Sequence, residues 1–269
     1  MEFLILAHLG DQTAVRVAAL LKRRNPPGEV RIVTMEEIIL APKWVHRVGT
    51  SVVTKLTLHD ETIIQSDAIG VVLNRLQYLQ PPQFATAKTE DREYAAAEMF
   101  ALLLSWLSGL ECPVINRASP SGFGGKAFSP SAWQLLASKA GLRSRNMRLT
   151  SSTRRFAKPE WAPVNSQSSG INGAGNRHEW LAEPVGEIHA TALVVGGEVC
   201  GDAVVDLWDG CRRLTALSGH ELLRIHFSRA HHDDAAWLFN GVDVFPEIAD
   251  QHSLLAVTAF LERRASIKV

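Results

Sequence analysis

Two dipeptides carry side chains that could bind a charged ligand. Asn74-Arg75 and Asn116-Arg117 each close a short apolar run, GVVLNR at 70–75 and PVINR at 113–117. If those runs are buried parallel strands, both arginines sit at carboxyl ends, the edge where open α/β sheets form their binding crevice. A guanidinium there can grip a carboxylate bidentately. The competing use is an ion pair with a helix acid such as Glu93 or Glu98, and the two uses stay open. Lys126 lies in the glycine-rich stretch ASPSGFGGKAF, 118–128. A phosphate-cradling P-loop needs GxxxxGK followed by Ser or Thr. Pro120 stands at the first glycine and Ala127 after the lysine, so the stretch reads as a flexible loop, with Lys126 kept as a crevice candidate.

Other reactive side chains read as structural. His220-Glu221, His226, His231-His232 and Asp233-Asp234 cluster in sequence, yet no HExxH or His-x-His spacing supports zinc; residues 231–234 read as a hairpin turn. Cys112, Cys200 and Cys211 form no CxxC pair and no disulfide framework. Arg212 and Arg213 flank Cys211 and would lower its pKa. A cysteine nucleophile also needs a positioned histidine, so the default for all three is structural.

The elements that must position these groups are legible from periodicity. Residues 2–7, all but Glu2 apolar, predict a buried parallel strand. Apolar positions Val15, Ala18, Ala19 and Leu21 predict a helix over 12–24, ended at Asn25-Pro26-Pro27-Gly28. A strand at 30–33 completes a β-α-β opening, hence a right-handed crossover and a parallel sheet. The turn HLGDQTA lacks GxGxxG, which weakens a dinucleotide reading. Alternation over 43–65, with His59-Asp60-Glu61 as a turn, predicts an inserted β-hairpin. A helix is predicted over 91–110 and another over 131–140, capped by Ser129-Pro130. After a polar Gly/Ser/Asn loop at 164–178 the chain reads as strands at 185–196, 199–207, 222–229 and 235–244. Gly196-Gly197 marks a tight turn, and an amphipathic helix from His252 to Arg264 closes the chain.

The 28 basic and 28 acidic residues of this 269-residue chain cancel, which removes any global pull toward nucleic acid or anionic membrane. No apolar stretch reaches the about 18 residues a span needs. With the odd cysteine count, this leads to an expectation of a cytoplasmic protein with neither nucleic acid nor membrane as partner. The basic run 139–158 is expected to pair with Glu198, Asp202, Asp206 and Asp209 or to be solvated.

The order of segments resembles the peptide-modifying, graspetide-type and RimK-like branch of the ATP-grasp ligases. The resemblance rests on GVVLNR, on a helix opening with Asp91 and carrying Glu98, on a strand ending in Asn116, and on a helix with Gln134-Leu135 that ends in Gly141-Leu142. It implies an α/β fold: a pre-grasp parallel-sheet domain over 1–150 with the inserted hairpin, then a shortened ATP-grasp-like α+β domain over 151–269. It also exposes departures. Ser131 stands at the family's lysine. The segment that should hold a phosphate-binding β-subdomain offers roughly 33 residues, too few for several strands of ordinary length. The first magnesium carboxylate falls near His226. The second station falls at Gly241-Val242-Asp243, without its glutamate, so no metal site is expected and Asp243 is the one candidate ligand.

Phosphoryl transfer from ATP needs cations against the developing charge. The expectation is therefore a degenerate, non-catalytic ATP-grasp-like protein without cofactor, binding a peptide or a partner enzyme of a natural-product pathway. A homo-oligomer is compatible with it. The alternative is an active carboxylate–amine ligase using ATP and magnesium, with Arg75, Arg117, Lys126 and Asp243 around its site.

Overall fold

The computed structural model describes the chain apart from residues 25, 27, 80–85, 151–161, 164–178, 183–187, 231–232 and 267–269. The chain forms two compact units: Met1–Lys126 with Glu247–Val269, and Ala127–Pro246. The sequence reading divides the chain at 150; packing divides it at 126 and brings the closing helix back to the first unit.

The first unit is built on the β-α-β opening. Strand β1 (Glu2–Ala7) pairs parallel with β2 (Glu29–Thr34), and helix α1 (Gln12–Arg24) is the crossover. Every residue of β1 is buried, as its near-continuous apolar run requires in a central parallel strand. Short helix α2 (Met35–Ile39) follows β2 directly. Thr34 and Glu37 form a reciprocal capping box at its start; the sequence reading did not anticipate this helix.

Strands β3 (Lys43–Val48), β4 (Val52–Thr57) and β5 (Ile63–Gln65) form the inserted antiparallel sheet. The Asp60 carboxylate accepts from both the Thr62 N–H and hydroxyl, and Glu61 takes a left-handed φ of 64°, so 59–61 is the turn expected. The parallel sheet continues with β6 (Ile69–Asn74) and β7 (Val114–Ile115), giving the order β2-β1-β6-β7. Helix α3 (Thr89–Ser108) buries only its second half, where Leu103, Trp106 and Leu107 join Leu4, Leu56 and Val72 in one core. Helix α6 (Gln251–Ala265) packs on α1, and Arg24 makes a bidentate bond to Glu262 at 2.9 and 2.8 Å.

The second unit begins with helix α4 (Pro130–Lys139), N-capped by Ser129 with proline at its first turn. Strands β8 (Met147–Thr150), β9 (Ala162–Pro163) and β10 (Glu179–Ala182) form a small antiparallel sheet in the order β8-β10-β9. The sequence reading takes this subdomain as missing. Three short strands form in this segment nonetheless, because strands of two to four residues need far less chain than strands of ordinary length. The loop 164–178 lies outside the described residues.

A four-stranded antiparallel sheet carries the rest: β11 (Ile188–Val195), β12 (Glu198–Gly201), β13 (Leu222–Ala230) and β14 (Asp233–Asp243), in the order β12-β11-β13-β14. Gly196 and Gly197, at φ 56° and 91°, make the tight β11–β12 turn, both central residues needing the left-handed region. The strand expected over 199–207 stops at Gly201, and Val205–Leu207 are a 3-10 turn. Helix α5 (Trp208–Ser218) was also not anticipated. Its buried stripe, Cys211, Leu214, Thr215 and Ser218, has helical spacing but two polar members. They bond within the helix, Thr215 to the Cys211 carbonyl and Ser218 to that of Thr215. Helices α4 and α5 cover one face of this sheet.

Candidate functional site

In the first unit the strand order reverses between β1 and β6, the switch point at which open α/β sheets bind ligands. The loop after β1 brings His8 and Asp11 there, and the end of β6 brings Asn74 and Arg75. Arg75 is buried and its Nε donates to Asp11 Oδ2 at 2.7 Å. The other Asp11 oxygen accepts from the Ala14 N–H at 3.0 Å, at the start of α1. The partner of Arg75 is thus a helix-capping aspartate rather than Glu93 or Glu98, both of which are exposed. Asn74, also buried, donates to the carbonyls of Asn116 (3.1 Å) and Phe123 (2.6 Å) and accepts from the Leu76 N–H. It ties the ends of β6 and β7 to the glycine-rich loop. Asn116 is buried with φ 53°, the left-handed conformation that asparagine tolerates better than most residues.

Arg117 does something different. Its guanidinium donates to the carbonyls of Leu107, Ser108 and Leu110, each at 3.1 Å, and to that of Cys112 at 2.9 Å. These groups precede β7, so Arg117 caps the carboxyl end of α3 and turns away from the crevice edge. The sequence expectation of Arg75 and Arg117 converging on one ligand is corrected: each is engaged by its own structural partners. Lys126 is exposed and makes no hydrogen bond or ion pair among the described residues.

His8 completes this edge. Its ring stacks on Tyr78 with centroids 4.0 Å apart. Its Nε2 accepts from the Gln77 N–H at 3.0 Å and lies 3.4 Å from the Tyr78 N. That fixes the proton on Nδ1 and requires the neutral ring. Burial pulls the His8 pKa below its ordinary value, against Glu36 and Asp11, which raise it.

In the second unit, the four-stranded sheet sends alternate residues to opposite faces. Leu223, Ile225 and Phe227 of β13 enter the core beneath α4 and α5. Arg224 and His226 therefore share the other face. Asp243 lies directly across from Arg224, Gly241 across from His226, and Thr191 of β11 on its other side. A β-bulge between His226 and Phe227 leaves Asn240 as the extra residue of β14. Its amide donates to Ser228 Oγ at 3.1 Å and its carbonyl accepts from Arg145 at 3.1 Å. Bulges of this kind re-aim the neighbouring side chains.

The charges on this face are not paired among the described residues. Arg224 and Asp243 form no ion pair although they are cross-strand partners. Asp243 Oδ1 instead accepts from the Phe245 N–H at 2.8 Å. His226 is pulled below its ordinary pKa by burial and secondarily by Arg224, while Asp243 pushes it up. Arg224 Nε and His226 Nδ1 are both enclosed without a hydrogen-bond partner.

Magnesium, which the resemblance implies here, is a hard cation that takes oxygen ligands, chiefly carboxylates and phosphates. One carboxylate already accepting a backbone N–H, with a guanidinium opposite and an imidazole at the first station, does not fit it. Among the described residues no group of three or more His, Cys, Asp or Glu side chains converges as a metal site.

The cysteines are placed as structural residues. Cys211 lies in the core beneath the sheet, and burial pushes its thiol up to about 12, overriding Arg212, which the sequence reading expects to lower it. Burial raises Cys112 to about 11. Asp209 pairs with Arg212 and Asp202 accepts from Thr191; Arg154, Arg155 and Lys158 of the basic run lie outside the described residues. His231 and His232 lie outside the described residues; the strands they join pair as a hairpin.

Sequence reasoning missed His8, Asp11 and Arg224. The first two follow the first strand just as Asn74-Arg75 follows β6, so the same strand-end logic reaches them. Arg224 and His226 alternate with Leu223, Ile225 and Phe227, a period-two signal present in the sequence.

No family model and no curated protein matches the chain. Solved structures do match it. An ATP-grasp ligase associated with a ribosomally made, modified peptide (RiPP) in Chryseobacterium gregarium, solved with ADP and a leader and core peptide, superposes with a TM-score of 0.75 at 13% identity. That alignment spans 100% of this chain and 99% of the other. The macrocyclase MdnC of Microcystis aeruginosa, bound with the precursor peptide MdnA, superposes at 0.80 and 11% identity, spanning 98% and 100%. A RimK-domain ATP-grasp protein of Sphaerobacter thermophilus superposes at 0.55 and 11% identity, spanning 98% and 99%. The chain has the ATP-grasp ligase fold.

Proposed function

We propose that this protein is a peptide-binding ATP-grasp-fold protein of a peptide-modification pathway that does not carry out metal-dependent phosphoryl transfer. The observation that carries the proposal is the sheet face of β13 and β14. Where the resemblance implies metal carboxylates it presents Arg224, His226 and a single Asp243 already engaged by a backbone N–H. A carboxylate attacking a phosphate gathers negative charge that cations must offset, and this face is not built to hold magnesium for that purpose. The peptide part of the proposal is supported by the matched ligases, two of which are described as bound to leader, core or precursor peptide. The occupant would be such a peptide, or a partner enzyme of the same pathway.

A second reading, an active carboxylate–amine ligase, is favoured by one observation. The small β8-β10-β9 sheet falls in the segment to which the resemblance assigns a phosphate-binding subdomain. Two measurements separate the readings. A ligand at a hundredfold excess over its Kd stabilises by about 2.7 kcal/mol, so tight Mg-ATP binding would raise the melting temperature clearly. No rise, and no ADP release with Mg-ATP and an acidic peptide, is the expected result. Peptide-dependent ADP release would establish the ligase instead.

A further inference from the structure

We infer that Arg224 and His226 form a metal-independent binding site for an oxyanion, the carboxylate of an acidic side chain or a phosphate group. The inference rests on the reading of this sheet face given above and names what the face binds. Both residues stand on β13 two positions apart, hence on one side of the sheet and about 7 Å apart along the strand. Arg224 is permanently cationic and presents a planar fork that matches two oxygens of a carboxylate or phosphate. None of its nitrogens makes a hydrogen bond or ion pair among the described residues. The inner Nε is enclosed without an acceptor among the described residues, and His226 Nδ1, a donor or an acceptor according to tautomer, is enclosed without a partner among them. Enclosed donors without acceptors are rare in native proteins, and each calls for a reason.

The nearest carboxylate does not supply that acceptor. Asp243 is the cross-strand partner of Arg224, close enough to pair, yet it accepts from Phe245 N–H and leaves the guanidinium unbridged. A cationic fork and an imidazole with open hydrogen-bonding capacity therefore face one place. What fits there is a group rich in acceptors and short of donors, which describes an oxyanion and excludes a metal cation. The β-bulge at Asn240, held by Ser228 and Arg145, fixes the strands around this spot.

The test follows the Arg224 Nε–H and His226 imidazole resonances by NMR in the full-length protein, in EDTA and without nucleotide. The two probes are inorganic phosphate and a capped glutamate (N-acetyl-glutamate amide). Saturable shifts of both residues with either probe are expected, and the tighter probe identifies a phosphoryl group or a peptide carboxylate as the source. Arg224→Lys keeps the charge but loses the fork and should weaken binding about tenfold. Asp243→Asn removes a neighbouring negative charge and should tighten binding several-fold, whereas a metal-type site would lose affinity with it. Shifts that appear only on adding magnesium, or weaker binding in Asp243→Asn, would overturn the inference. Because nucleotide is absent, that failure is separate from ADP release, which would overturn the proposed function alone.

Discussion

Arg75 was the leading crevice candidate, and its burial makes a quantitative claim. In Arg75→Ala the Asp11 carboxylate keeps, among the described residues, the Ala14 N–H alone, in a setting where its side chain is 11% exposed. Breaking one side of a buried pair costs about 3–5 kcal/mol, because the remaining charge is left uncompensated. The retained capping bond puts Arg75→Ala at the lower end, about 3 kcal/mol. For a chain of this size about 2–4 °C is lost per kcal/mol, so the melting temperature should fall by about 6–12 °C. Asp11→Ala deprives Arg75 of that carboxylate and also removes the cap of α1, worth about 1 kcal/mol, so it should cost about 4 kcal/mol. The double variant should cost clearly less than the sum, since contacting residues couple by about 0.5–3 kcal/mol.

The assay is chemical denaturation of all three variants, with tryptophan fluorescence and circular dichroism compared for coincidence, since two units need not unfold together. A structural Arg75 loses stability in this pattern and leaves oxyanion binding unchanged in the surviving native fraction. The reasoning is refuted if Arg75→Ala is within about 0.5 kcal/mol of the parent, the range of an ordinary surface substitution, yet abolishes ligand binding. That result would return Arg75 to the crevice.

Two further outcomes are expected. His8 titrates below its ordinary value when folded, so the unfolded chain binds its proton first as pH falls. Stability from His8 is thus complete above about pH 6.5 and is lost as pH falls from there through the lower folded value; His8→Gln should flatten that part of the stability–pH curve, and an unchanged curve would contradict the lowered His8 pKa. Cys211, pushed up to about 12, should resist a thiol reagent at about pH 8 until the protein is unfolded, because only the thiolate reacts, and rapid labelling of the native protein at Cys211 would contradict its place in the core.

Much of this fold was legible because its periodicities are clean. The apolar run at 2–7, the helical spacing at 12–24 and the alternation at 43–65 each have one reading; packing agrees with the first two and extends the hairpin of the third to three strands. Helix α5 was not legible because half its buried stripe is hydroxyl-bearing. Thr215 and Ser218 can be buried only by bonding back to helix carbonyls, a local solution that composition does not advertise. The small β8-β10-β9 sheet was missed for another reason: a segment too short for strands of ordinary length still has room for strands of two to four residues. For the site, the strand-end rule located Asn74, Arg75 and Asn116 correctly in space but said nothing of their use. Whether an arginine at a crevice edge is available depends on which acceptor reaches it first. For Arg75 that is an aspartate 64 residues away, and for Arg117 a set of helix carbonyls.

The distinction between committed and uncommitted guanidinium groups separates Arg75 from Arg224. At the parallel-sheet edge Arg75 has its carboxylate, Asn74 has two carbonyls, and His8 Nε2 accepts a backbone N–H, although its Nδ1 is enclosed without a partner among the described residues. A ligand arriving there would have to replace short bonds already made, and would gain only the difference. On the face of β13 the situation is reversed. Arg224 Nε and His226 Nδ1 are enclosed without partners among the described residues, so a ligand that supplies acceptors displaces no bond made by these two atoms. The sequence motif drew attention to the first location because strand ends are conspicuous in a sequence. The physical case for binding lies at the second, where an alternating strand hides its chemistry one residue at a time between Leu223, Ile225 and Phe227.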